Sequence, residues 1–181
     1  MNKTKNRAYI VARDNGFYND PHPSDLVLGI ASEINEAFHA DFALKPSEKL
    51  DKTEYLSNPV KMEVINKTFE MELIDTQLRL FSLAGYLNVN LTPTDRQKMM
   101  IRVACDPFRH CNRSDYLLHL HNMVNRCVEW KYGKWQIAHD MLIVPIMMIE
   151  NYLSDHGIDT NDLREIKIEH NKKRGYLHSK G

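Results

Sequence analysis

Hydrophobic residues in this chain recur at three- and four-residue intervals, with few alternating stretches, which predicts an almost entirely helical protein. The strongest such segment runs from about Val60 to Leu87. Turned at about 100° per residue, Ile65, Phe69, Leu73, Ile74, Leu78, Leu80, Phe81 and Leu83 cover most of its circumference, so this helix is expected to be buried. A second segment, from Ser24 or Asp25 as caps to about Phe42, carries the stripe Leu26, Ile30, Ile34, Ala37 and Phe38. Residues 4–14 predict a short helix stopped by Asn15-Gly16. Lys45 to Pro59 is polar, holds two prolines and reads as a surface connection. Thr92-Pro93-Thr94-Asp95 opens another short helix, and Asp106 to Ser114 reads as irregular.

A further helix pair is expected at Asp115 to about Tyr132 and about Lys134 to Leu153, separated by Gly133. With Asp115 set under Asp25, Leu118, Leu120, Val124, Cys127 and Val128 fall under Leu28, Ile30, Ile34, Ala37 and Phe38. Met123 and Arg126 then stand under Glu33 and Glu36, and Ala138 and Met141 under Glu72 and Asp75. Two explanations fit: a degenerate internal duplication, or two amphipathic helices that slide into register by chance. The expected fold is an all-α bundle of two helix pairs in a single domain over residues 1–181. The acidic pair covers about 24–88, the second pair about 115–155, and a basic tail about 164–181. Pro145 is expected to kink the last long helix, and Trp130 and Trp135, which bracket the turn of the pair, to be core anchors rather than base-stacking groups. Asp159 to Asp162 suits the cap of a final short helix, followed by a basic, solvated stretch from Lys167 to Lys180.

The chemistry-bearing feature is a pair of matched acidic motifs, Glu33-Ile34-Asn35-Glu36 and Glu72-Leu73-Ile74-Asp75. Residues three apart share a helix face, so each motif aims two carboxylates one way. On the later helix the only polar strip holds Thr68, Glu72, Asp75, Arg79, Ser82 and Tyr86. Carboxylates on such a seam need a cation, either a divalent metal or Arg79. Four oxygen donors without His or Cys suit a hard ion such as Mg²⁺ or Mn²⁺. The plainer alternative is an acidic face with Asp75 and Arg79 as an i, i+4 salt bridge.

Glu33-x-x-Glu36 followed by Glu72-x-x-Asp75 resembles the signature of the all-α nucleoside triphosphate pyrophosphatases, that is, the MazG-like nucleotide pyrophosphohydrolases and the dimeric dUTPases. Asn15-Gly16-Phe17-Tyr18 resembles a motif that precedes the first acidic helix in that family, and Lys167, Asn171, Arg174, His178 and Lys180 resemble its C-terminal tail. Gly175 and Ser179 depart from that tail, and the connection between the acidic motifs is longer than usual. The resemblance touches about residues 6–90 and 164–181. It implies hydrolysis of (deoxy)nucleoside triphosphates between the α- and β-phosphates, giving a monophosphate and pyrophosphate. Glu33, Glu36, Glu72 and Asp75 would hold Mg²⁺ or Mn²⁺, with Glu36, and Glu33 beside it, as the catalytic carboxylates. Lys167, Asn171, Arg174, His178 and Lys180 would bind phosphates, and Phe17 or Tyr18 would stack on the base or pack on the bundle. The rival class is a non-catalytic helical module that binds a nucleotide or metal, or a quiet subunit of a larger assembly.

Composition narrows the partners. Lys plus Arg and Asp plus Glu are equal at 24 each, so no general attraction to a nucleic acid polymer or an anionic membrane follows. With neither a membrane-length apolar run nor an apolar leader, a cytoplasmic protein is expected, assembled as a homo-oligomer, dimer or higher. Three cysteines, Cys105, Cys111 and Cys127, argue against a disulfide framework, and with His110, His119 and His121 they lack the paired C-x-x-C of a zinc knuckle.

Overall fold

A computed structural model describes residues 1–19, 22–41, 44, 50–108, 111–131 and 134–174. These residues form nine α-helices and one short antiparallel hairpin, so the fold is all-α. In order they are α1 (Asn2–Asp14), α2 (Pro23–His39), α3 (Lys52–Ser57), α4 (Pro59–Asn66), α5 (Phe69–Tyr86), α6 (Asp95–Cys105), α7 (Arg113–Asn125), β1 (Val128–Lys131), β2 (Lys134–Ile137), α8 (Ile143–Asp155) and α9 (Thr160–Arg174).

Helix α5 is the axis. The helix is buried from Phe69 to Ala84 except at Asp75 and Arg79, with α1, α2, α8 and α9 packed on it, and its polar residues are not confined to one strip: Glu70 and Gln77 are buried on the side away from Glu72. The approach of α1 is close: a Cβ at Gly85 would lie 2.5 Å from Cβ of Tyr9. The single helix expected over Val60–Leu87 is in fact two. Thr68 is extended, and its hydroxyl accepts from the Met71 amide at 3.3 Å while donating to the Ile65 carbonyl at 2.9 Å. One side chain thus ends α4 and caps α5, an alternative to continuous helix that threonine offers the backbone.

Helix α2 begins at Pro23 after a His22 cap, not at Ser24 or Asp25, and stops at His39, three residues before the expected Phe42. Its free terminal carbonyls meet another helix: Arg113 of α7 donates to Phe38 O at 2.6 Å and to Ala40 O. Just past α2, Asp41 meets the start of α5: the Phe69 amide donates to Asp41 O at 2.9 Å. The expected surface connection contains α3, capped by Asp51, while residues 45–49 of it lie outside the described residues.

The second helix pair is α7 and α8, which pack on each other, but a hairpin stands between them where the ends of two helices separated by Gly133 were expected. Val128 pairs with Ile137 and Trp130 with Trp135. In both strands apolar residues alternate with polar ones, a period of two that suits a strand and not a helix. Ala138 is consequently extended and Met141 lies in a 3₁₀ turn, so the register that set them under Glu72 and Asp75 does not match helix to helix. Pro145, expected in the interior of a long helix, is the third residue of α8, in a turn where amides lack intrahelical partners anyway, so the ground for a kink is gone. The final helix is longer than expected, 15 residues, and is docked through Leu163, Ile166 and Lys167.

Candidate metal centre

Helices α2 and α5 pack side by side and bring the two acidic motifs together. One oxygen each of Glu33, Glu72 and Asp75 lies within 4.8 Å of the other two. Glu33 and Glu72 are buried, at 7 % and 8 % exposure. Glu36, one turn along α2, is exposed and stands outside this trio. It is still close enough for its charge to push up the pKa of both Glu33 and Glu72.

Two cations answer the carboxylates. Arg79, one turn after Asp75 on α5, does not form the i, i+4 pair with it; its guanidinium turns to Glu33, with Nε 2.6 Å from Oε1 and Nη2 on the same oxygen. A Cβ at Gly29 of α2 would touch Nη1 at 3.4 Å, so the small residue leaves the guanidinium lying against bare backbone. Lys167 reaches Asp75 from α9 and also donates to Asn66 Oδ1 at the end of α4. Among the described residues, four carboxylates against two cations leave two negative charges when all are ionised, a deficit that one divalent ion would neutralise.

Glu72 carries that imbalance. Among the described residues no hydrogen bond or ion pair reaches its carboxylate, although it is aimed into the cluster. Burial first, and then the charge of Asp75, push its pKa up to about 7. Burial likewise raises Glu33, against the opposing pull of Arg79. Buried, under-compensated hard oxygen donors fit Mg²⁺ or Mn²⁺ better than a softer metal.

The comparisons come out empty. No protein-family model, curated protein or solved structure matches this chain.

The other expected site residues are placed unevenly. Gly16 adopts φ 79°, and the turn it makes sends Phe17 and Tyr18 in different directions. Tyr18 packs on the bundle, stacked on Tyr86 at 4.6 Å, with its hydroxyl 2.6 Å from Ser82 Oγ. Phe17 remains 46 % exposed and lies under the Arg79 guanidinium at 5.3 Å. Asn15 donates to the Asn171 carbonyl at 3.4 Å, tying this turn to α9. Lys167, expected on a solvated tail, is 2 % exposed. Arg174 ends α9, and His178 and Lys180 lie outside the described residues.

Sequence reasoning missed Asn66 altogether and misplaced Lys167. A signal for the lysine was present: it follows Leu163 by four residues and Ile166 by one on the inward stripe of α9. A cavity of about 490 Å³ opens beyond Asn66, lined by Tyr55, Leu56, Met62, His170 and Lys173. It includes none of the acidic trio.

Proposed function

We propose that this protein is a metal-dependent nucleotide pyrophosphohydrolase that cleaves (deoxy)nucleoside triphosphates between the α- and β-phosphates. The observation that carries the reading is the convergence of Glu33, Glu72 and Asp75 from two helices, with Glu72 buried and unpartnered among the described residues. Glu33, Glu72 and Asp75, joined by Glu36, hold Mg²⁺ or Mn²⁺. When bound, such an ion supplies Lewis-acid polarisation of the phosphoryl group and makes water more acidic.

The chain's own residues do the rest. Glu36, the exposed member of the motif, accepts the proton of the attacking water. Oxygen adds at the α-phosphorus, the anhydride bond breaks, and pyrophosphate leaves with the bonding electrons. Lys167 keeps positive charge beside Asp75, and Asn171, Arg174, His178 and Lys180 bind phosphate oxygens. Phe17, exposed at the edge of the site, offers a ring face to the base. The protein acts in the cytoplasm as a homo-oligomer, for which exposed Leu28 and Phe38 on α2 and Leu118 on α7 supply apolar surface.

The alternative is a non-catalytic nucleotide- or metal-binding module, or a quiet subunit of a larger assembly. It draws on the ion pairs of Arg79 and Lys167, which neutralise two carboxylates without any metal. Pyrophosphate release from a nucleotide panel, with and without Mg²⁺, separates the two. Glu36→Gln should nearly abolish turnover with the fold intact, because an amide neither ligates as an anion nor accepts the proton. Full turnover in purified Glu36→Gln, or none in the parent with any nucleotide, would refute the enzymatic reading.

A further inference from the structure

Two cations serve the acidic centre, and they are built differently. Lys167 is 2 % exposed, sits on the inward stripe of α9 and is held by both Asp75 and Asn66. The Arg79 side chain is 37 % exposed, and its other contact at the site is the ring of half-exposed Phe17. Both nitrogens that reach Glu33 share Oε1. That oxygen belongs to a carboxylate able to share a cation with Glu72 and Asp75. A divalent ion there and a guanidinium on the same carboxylate would repel each other across a buried, weakly screened distance. The divalent ion weakens the hold of the protein cation on the carboxylate they share, and burial marks Arg79 as the one free to move: moving Lys167 would break two bonds inside the core, whereas Arg79 can swing into solvent along the Phe17 ring.

We propose that Arg79 is an exchangeable counter-ion: it occupies Glu33 until a divalent cation enters, and then turns its guanidinium to the phosphates of the nucleotide, while Lys167 stays fixed. The inference rests on the metal-dependent reading above and adds a positioning residue to it. Arginine suits both positions, since its planar fork binds carboxylate and phosphate alike and it stays charged throughout. Gly29 and Phe17 fit the same scheme: the glycine leaves the guanidinium room beside α2, and the aromatic face gives it a surface to slide on.

The test is equilibrium binding of Mn²⁺, followed by electron paramagnetic resonance, and of a triphosphate analogue with a non-hydrolysable α,β-imido link. The full chain is compared with Arg79→Met and Arg79→Lys, each checked by its melting curve. Without nucleotide, Arg79→Met should bind Mn²⁺ about tenfold more tightly, because the competing charge is gone. With Mn²⁺ saturating, the same variant should bind the analogue about tenfold more weakly. Arg79→Lys should lie between, and it supplies the answer if Arg79→Met fails to fold. A merely structural arginine would not give opposite signs in the two measurements. Unchanged or weaker Mn²⁺ binding in the folded variants, or unchanged analogue binding, overturns the exchange. If the parent chain binds no Mn²⁺ at all, the metal reading falls together with it; if the parent binds and the variants match it, only the exchange falls.

Discussion

Lys167 on α9 and Asp75 on α5 form an ion pair whose lysine is almost wholly enclosed, with Asn66 as its second partner. A residue near the end of the chain thereby reaches the central helix and fixes α9 beside the acidic motifs. Removing one partner of such a pair leaves the other uncompensated, so Lys167→Met should cost about 3 kcal/mol or more of stability. The double variant Asp75→Leu with Lys167→Met should lose less than Lys167→Met alone. Urea unfolding of the three chains checks this, and a larger loss in the double variant would contradict it.

Glu72 makes stability depend on pH in a direction unusual for a carboxylate. Its pKa is raised from 4.5 to about 7. The folded protein therefore retains a proton that the unfolded chain gives up near 4.5, and the stability this contributes is present below that pH and is lost as pH rises through about 7. The full effect is at most about 3 kcal/mol. Melting temperature without metal should fall between pH 5 and 8, and Glu72→Gln should flatten that slope. Because a metal needs the ionised carboxylate, stabilisation by Mg²⁺ should grow over the same interval. Melting curves with a chelator and with Mg²⁺ measure both effects; a metal effect that shrinks with pH would exclude Glu72 as a ligand.

Gly85 is where α1 meets α5. A Cβ there would fall 2.5 Å from Tyr9 Cβ and 3.3 Å from Lys5 O, so the helices must move apart to admit it. Gly85→Ala should destabilise by about 2 kcal/mol despite alanine's better helix propensity. Hydrogen exchange should show the loss first in α1. Protection unchanged in α1, with no loss of stability, would mean that the contact is softer than its geometry.

Tyr116 is buried and stacked on Tyr152 at 3.8 Å, and its hydroxyl has no hydrogen-bond partner among the described residues. Such an enclosed polar group costs free energy, so Tyr116→Phe should raise stability by about 1 kcal/mol. Thermal unfolding decides this, and a clear loss would reveal a partner for the hydroxyl.

The all-α fold, the buried character of α5 and the matched carboxylate motifs are legible along the chain, because helical periodicity and i, i+3 spacing are local properties. The chain also held what was misread: the two-residue alternation of Val128–Lys131 and Lys134–Ile137, and the place of Lys167 on an inward stripe. Only the tertiary structure decided which cation answers which carboxylate. Arg79 could have paired with Asp75 along its own helix, yet the packing of α2 against α5 sets Glu33 within its reach and Gly29 out of its way. Asp75 is thereby left for Lys167, ninety-two positions further along the chain, and Glu72 is left without either. Helix spacing fixes which way a side chain points, but a partner on another helix depends on how the helices cross, and that is set by the whole core.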